Sequence, residues 1–400
     1  MSVPLAGPIE FNPYGYENHE DPYPAYARLR AEAPAYRNED FDFWAISRHA
    51  DVLAAFRNVA ALSNANGVSI DPSAWGPHAQ STMSFLAMDP PRHTRMRTLI
   101  GKGFSPRTVM NMEERIREIT LEHLEPALEA GSFDFIADFA GKLPMDVVSE
   151  LVGVPKQDRA ELRRLADLVM HREEGLFDVP VAGQEAAMEL VVYYAAMVAE
   201  RRARRRDDLT SELIDAQIDG EHLSDDEIIG FLFLMVVAGN ETTTKLLGNA
   251  WWWASKNPDE QAKPFDDPTR IVDWVEETLR FDPSSQMVAR LVREPLTVAG
   301  VTIDPGERLV LLIGSANRDE AVFDDPGRYD LDRDSSKHVS FGSGRHFCMG
   351  APLARLEARV ALEELVRRVK RYGIEESGLV RVHSINVRGF ASLPTTVETR

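Results

Sequence analysis

The sequence predicts a mainly α-helical fold with a small β-rich region, and three observations carry that prediction. Helix-period apolar patterns recur seven times between Arg107 and Tyr372. Strand-like material is short and clustered, at 42–46, 296–303 and 308–312 and again near the C-terminus. No Ser/Gly-rich linker, low-complexity block or internal repeat divides the 400 residues, so one continuous domain over 1–400 is expected.

The elements follow in order. After the strand at 42–46, residues 63–88 mix Asn, Gly, Pro and Ser with Trp75, Phe85, Leu86 and Met88. They read as a long loop, either closing over an apolar ligand or covering a small core of its own. Apolar residues at helical spacing predict helices over 107–130, 143–151, 156–171, 184–206, 224–255, 269–280 and 349–372. A hairpin-like run occupies 296–303 and a strand 308–312. Between them and the last helix, 319–337 is irregular and rich in Asp, Pro and Arg.

Composition excludes several functions. A formal charge of -19 argues against a general nucleic-acid binder, whose affinity comes from neutralising phosphates. Residues 1–20 lack a basic, then apolar, leader, and the longest wholly apolar stretch, 231–238, is far short of a membrane span. A cytoplasmic protein without a membrane anchor is expected. Hydrophobic residues at 44% and charged residues at 27% fit a packed core, not disorder.

The chemistry centres on one residue. Cys348 is the single cysteine, so it forms no internal disulfide and builds no closed Cys/His zinc site. One axial sulfur on an iron that brings its own four nitrogens is a demand a lone cysteine meets. Gly342 and Gly344 precede it, allowing unusual dihedrals and close backbone approach, and a helix carrying Pro352 in its first turn follows. A sulfur at a helix N-terminus is expected to have a lowered pKa. A buried structural cysteine stays open on these grounds alone.

The run Phe341, Gly342, Gly344, His346, Cys348 and Gly350 resembles the haem-binding signature of the cytochrome P-450 superfamily. The resemblance implies that fold, with a long central helix over haem b and Cys348 as proximal iron ligand. Other matches occur in the family's order. Glu277 and Arg280 resemble its E-x-x-R pair, which ties the haem-side core to a meander resembled here by Asn317, Arg318, Asp319, Phe323 and Arg333. Ala238, Gly239, Asn240, Glu241, Thr242 and Thr243 resemble the oxygen-activation segment, where a local opening of the helix lies over the iron. Thr242 would be the hydroxyl above the metal and Glu241 the acid feeding protons to it. His93 and Arg97, four apart on one helix face, match propionate anchors together with Arg290 and His346. Residues 14–28 resemble the usual lead-in and 381–393 the last substrate-facing turn.

The activity implied is a monooxygenase that activates O2 with electrons from a separate ferredoxin and ferredoxin reductase, with no fused reductase. Arg92, Arg95, Arg345, Arg355 and Arg359 are the expected docking patch. By family position the pocket walls are Phe85, Leu86, Met170, Phe177, Val237, Ala238, Val288 and Val387. They imply an apolar substrate such as a lipid, steroid, terpenoid or polyketide. A peroxide-driven peroxygenase and a non-catalytic haem sensor or carrier are the alternatives, the first disfavoured by the Glu241-Thr242 pair. Neither G-x-S-x-G nor H-E-x-x-H occurs. Trp251, Trp252 and Trp253 depart from the pattern and read as core packing or a surface aromatic patch, and the connection after them looks short for a helix.

Overall fold

The computed structural model describes residues 7, 9–101, 104–218 and 220–400. Its axis is the helix Asp225–Lys256, whose 32 residues span about 48 Å at 1.5 Å per residue. Ser224 caps it reciprocally: its hydroxyl accepts from the Glu227 amide at 3.2 Å, and the Glu227 carboxylate accepts from the Ser224 amide at 3.0 Å. Every residue from Thr243 to Trp252 is buried, as befits a helix surrounded by others. Leu143–Val152, Arg159–Met170, Val181–Ala203, Ile271–Phe281 and Ala351–Arg368 all pack on it. Among the described residues no helix is long and apolar enough to cross a membrane.

Most expected helices form, with altered ends. The run 107–130 divides into Pro106–Met110 and Glu113–Ala130, interrupted at Asn111, a residue type that competes for local backbone groups. The helix expected over 156–171 begins with a single 3-10 turn, Lys156–Asp158, before Arg159–Met170. The one expected over 184–206 runs from Val181 to Ala203. It stops as Arg205 folds back onto the carbonyls of Arg201 and Arg202. The last helix ends at Arg368, and Val369–Ile374 leaves as a strand paired with Pro394–Thr399. The short connection after the three tryptophans holds a nine-residue helix, Pro258–Asp266. Tyr23–Glu32 and His49–Arg57 are further helices.

A five-stranded sheet lies beside the helices in the order Ala35–Asn38, Phe43–Ile46, Arg308–Leu312, Met287–Val292, Leu62–Ser63. Phe43–Ile46 and Arg308–Leu312 are parallel and the other neighbours antiparallel. The register sets Arg290 against Leu309 and Val288 against Leu311. Period-two alternation therefore turns Val288 and Arg290 to the same face. The hairpin is Leu296–Val298 with Val301–Ile303, joined through Ala299 at φ 49° and Gly300 at φ 81°. Such a left-handed pair matches the twist of a two-residue hairpin turn.

The tryptophan triplet is core packing, not a surface patch. Trp251 stacks on Tyr372 at 3.5 Å and on Phe135 at 5.0 Å. Trp252 lies 5.5 Å from Phe390, and Trp253 donates its indole N-H to Asp282 at 2.8 Å. Glu277 and Arg280 are likewise fully buried. The Arg280 guanidinium donates twice to Glu277, at 2.6 and 2.8 Å, and to the carbonyls of Asn317, Pro326 and Arg328. The Glu277 carboxylate also accepts from the Asp330 amide and the Ser335 hydroxyl. Helix Ile271–Phe281 is thereby fastened to the irregular segment 319–337, as a buried ion pair requires if all its lone pairs and protons are to be used.

Candidate functional site

A cavity of about 280 Å³ lies between the central helix, the Cys348 turn and the sheet face that carries Val288 and Arg290. The turn is built from its glycines. Gly342 and Gly344 hold φ of 68° and 69°, a region costly for residues with a Cβ. A Cβ on Gly344 would also stand 3.0 Å from the Phe56 carbonyl oxygen. The Cys348 amide then donates to the Phe341 carbonyl at 2.9 Å, and the helix begins at Ala351 with Pro352 in its first turn.

The sulfur of Cys348 opens into this cavity, not to bulk water. The lowered pKa expected from its helix-start position is not found in the chain by itself. Burial pushes the thiol up, outweighing the amides of Gly350 and Ala351 and the charges of Arg97 and Arg355. A bound metal ion would supply the missing charge, because a coordinating thiol is deprotonated outright.

Three basic side chains line the cavity and a fourth lies behind one of them. Arg97 lines it and donates to the Phe347 carbonyl at 2.7 Å. Arg290, 5% exposed, donates to the carbonyl of Ala289, and burial lowers its pKa to about 10. His346 lines the cavity, and its Nδ1 accepts from the Asn64 side-chain amide at 3.3 Å. His93 lies behind it, ring on ring at 4.1 Å, instead of in the wall. Burial depresses both imidazoles, His93 to about 4 and His346 further, so both are neutral in the free chain. Both ring nitrogens of His93 are buried without a partner. Among the described residues none of the four makes an ion pair. Basic side chains without anionic partners beside an enclosed space fit a group carrying two carboxylates at its edge.

The central helix forms another wall through Phe231, Leu234, Met235, Ala238, Gly239, Thr242, Thr243 and Leu246. It continues unbroken across 238–243, without the local opening the resemblance implies. The Thr242 hydroxyl donates to the Ala238 carbonyl one turn back at 2.8 Å, which satisfies it inside a regular helix. Gly239 is a close-approach site, where a Cβ would lie 3.0 Å from the Val148 side chain.

Other residues expected in the site sit elsewhere. Glu241 faces away from the cavity into a buried cluster with Lys245, at 3.2 Å, Asn240, at 3.1 Å, and Asp167. Phe85, Leu86, Ala238 and Val288 line the walls as expected, but Met170, Phe177, Val237 and Val387 do not. Phe177 is 48% exposed and packs on Tyr14 and Phe41. Val387 bridges to Ser285 and lines a separate small cavity with Phe11 and Tyr26. Val237, one residue off the Ala238 stripe, turns into the core, and Met170 ends its helix half-buried. Phe231, Leu234 and Leu246 were missed although their spacing from Ala238 and Thr242 places them on one face. Phe56, Ile313 and Glu357 carried no sequence signal.

This geometry has counterparts among known proteins. Residues 182–373 match the family model described as Cytochrome P450. The putative cytochrome P450 123 of Mycobacterium tuberculosis is 57% identical over 402 residues, covering all of both chains. The chain belongs to the cytochrome P450 family. The vitamin D(3) 25-hydroxylase of Pseudonocardia autotrophica is 36% identical, again over the full length of both. The crystal structure of CYP109E1 from Bacillus megaterium in complex with testosterone superposes with a TM-score of 0.88 at 30% identity, covering 95% of this chain and 98% of that one. As a cytochrome P450 the protein is a monooxygenase, an oxidoreductase that binds haem b.

Proposed function

We propose that Cys348 is the axial iron ligand of this P450 and that His93, Arg97, Arg290 and His346 hold the two haem propionates. The observation that carries this is a cluster of basic side chains without anionic partners, three lining the cavity into which the sulfur opens and His93 stacked behind His346. Haem, when bound, supplies reductive activation of O2 and insertion of one oxygen atom into the substrate. The chain's own part is to orient and to exclude water. Phe341 and the apolar residues around it keep the sulfur dry, Gly239 and Ala238 leave space above, and the Thr242 hydroxyl is the hydrogen-bonding group of the central helix that faces that space. Its present bond to Ala238 is one it can exchange for a substrate-side partner by a χ1 rotation. A carbon monoxide difference spectrum of the reduced protein tests the ligand: a thiolate-type band is expected, and a histidine-type band would refute it.

The substrate in this reading is an apolar small molecule such as a lipid, steroid, terpenoid or polyketide. The walls of Phe85, Leu86, Phe231, Leu234 and Val288 support it, as do relatives named for vitamin D(3) hydroxylation and for a testosterone complex. A panel of such compounds scored by the iron spin-state shift tests it, and a response confined to polar compounds would refute it. Electrons come from ferredoxin and its reductase, docking over the Cys348 turn. Four of the five arginines expected there are paired: Arg92 with Glu227, Arg95 with Glu221, Arg355 with Glu276, and Arg359 with Glu113 and Glu363. Arg345, exposed beside a 40% exposed Phe347, has no ion pair among the described residues and is the better candidate contact. Arg345→Glu should slow reduction by ferredoxin. An unchanged rate would refute docking at this turn.

A further inference from the structure

Glu241 is buried beside a lysine of its own helix and an acid of a neighbouring one. Its carboxylate is 3% exposed, lies 3.2 Å from the Lys245 ammonium one turn along the central helix, and accepts from the Asn240 amide at 3.1 Å. Its remaining neighbour is Asp167, on the helix Arg159–Met170 that packs across the central helix. The two carboxyl groups are in hydrogen-bond contact. Contact of that kind requires a proton between them, since two adjacent carboxylates cannot both ionise.

The surroundings say which of them holds it. Lys245, itself 4% exposed at its side chain, is the immediate partner of Glu241 and favours its anion. Arg163, on the same helix as Asp167, acts on both acids in the same sense but through space. Burial would raise Glu241, yet Lys245 and the hydrogen bond from Asp167 outweigh it and leave the group below its ordinary pKa. Asp167 is pushed the other way, up to about 8, by crowding from the packed helices and by the Glu241 charge. The surroundings thus favour the proton on Asp167 and the charge on Glu241. Asp167 keeps an exposed face, whereas Glu241 is followed directly by Thr242, whose hydroxyl is in the cavity wall.

We propose that Asp167 and Glu241 share a single proton and form the entry of the proton path from solvent to the space beside Thr242. The step is a transfer between oxygens. The Asp167 O-H bond breaks as an O-H bond forms on Glu241, the charge moves outward to Asp167, and water reprotonates Asp167 at its exposed face. Glu241, neutral and released from Lys245, then delivers the proton inward and returns as the anion. Asp167 is a positioning residue in this scheme, because it acts on the reaction only through Glu241. The inference rests on the reading of Glu241 as the proton-feeding acid of this P450.

The experiment joins a spectroscopic titration of the holoenzyme to turnover. Infrared titration of the parent should show a protonated-carboxyl carbonyl band that disappears with a midpoint near 8, absent in both Asp167→Asn and Glu241→Gln. Asp167→Asn should lower product formation roughly tenfold, less than the full contribution of a general acid because water still reaches the gap. It should also shift the alkaline limb of the pH-rate profile and raise the solvent isotope effect, with substrate-induced spin shift unchanged, and Asp167→Glu should restore the profile. If Glu241→Gln slows turnover but Asp167→Asn leaves the band and the alkaline limb in place, the role of Asp167 is overturned alone. If Glu241→Gln keeps the parent rate and isotope effect, the reading of Glu241 falls and the path with it.

Discussion

Replacing Asp71 by Asn should open the loop 63–88 without unfolding the rest of the protein. Asp71 is wholly buried and receives the Arg172 guanidinium in a bidentate grip, Nε at 3.0 Å and Nη2 at 2.7 Å. Ser69 adds its hydroxyl at 2.6 Å. The Arg172 amide meanwhile donates to the His383 carbonyl at 2.7 Å, so one ion pair ties the loop, the end of helix Arg159–Met170 and the C-terminal turn together. Breaking a buried pair from one side costs about 3–5 kcal/mol, because the surviving charge is left unpaired. Asn keeps the shape and one acceptor oxygen, which points to the lower end, about 3 kcal/mol. At 1.4 kcal/mol per factor of ten, that lowers the closed-to-open ratio about a hundredfold. Hydrogen exchange by mass spectrometry reads this locally. Amides such as Gly67, Ala74 and Ala79, whose bonds lie within the loop, should lose up to about a hundredfold in protection, while those of the central helix from Thr243 to Ala254 keep theirs. Unchanged exchange in the loop, or an equal loss in both regions, would refute the latch.

Three further outcomes are expected. Glu277→Ala, which strands a fully buried Arg280, should lower stability by about 3–5 kcal/mol in a denaturant melt, a large part of the 5–15 kcal/mol of an ordinary domain. Burial would raise the Glu276 carboxyl, but His338 and Arg355 outweigh it and hold it down to about 2. A depressed acid stabilises above its unfolded pKa, so this contribution is present above about 4.5 and lost as pH falls towards 2, and Glu276→Gln should flatten that part of the stability profile. Gly239→Ala gains helix propensity of about 1 kcal/mol but crowds Val148 at 3.0 Å. It should be neutral or destabilising alone and more stable when combined with Val148→Ala, as measured by thermal melts of the two variants.

Local patterns were legible in the sequence, and contacts between distant segments were not. The central helix could be read to within one residue at each end because its apolar run is long and its start has a capping residue. Residues 369–372 read as part of the preceding helix because their own pattern continues it. Only the partner strand Pro394–Thr399, invisible locally, turns them into sheet. The strand Met287–Val292 was missed for a related reason: a buried arginine in its middle breaks the apolar run, and Arg290 is there to face the cavity. The Cys348 turn was readable since its residues are contiguous. Phe177 and Val387 were misplaced because their positions depend on how loops from opposite ends of the chain settle. The effect of the helix terminus on Cys348 was also legible, but the larger opposing cost of burial was not, since it depends on atoms from several segments.

The aromatic stack at the far end of the central helix has a mechanical consequence. Trp251, pressed between Phe135 and Tyr372, fixes that end to two sheet-bearing segments, while the capped start at Ser224 reaches the surface. The helix is then held firmly at that end, with its small residues Ala238 and Gly239 near mid-span. A shift of the packed helices on the surface side would reach the cavity first through this small-residue section, while the stacked half kept its register.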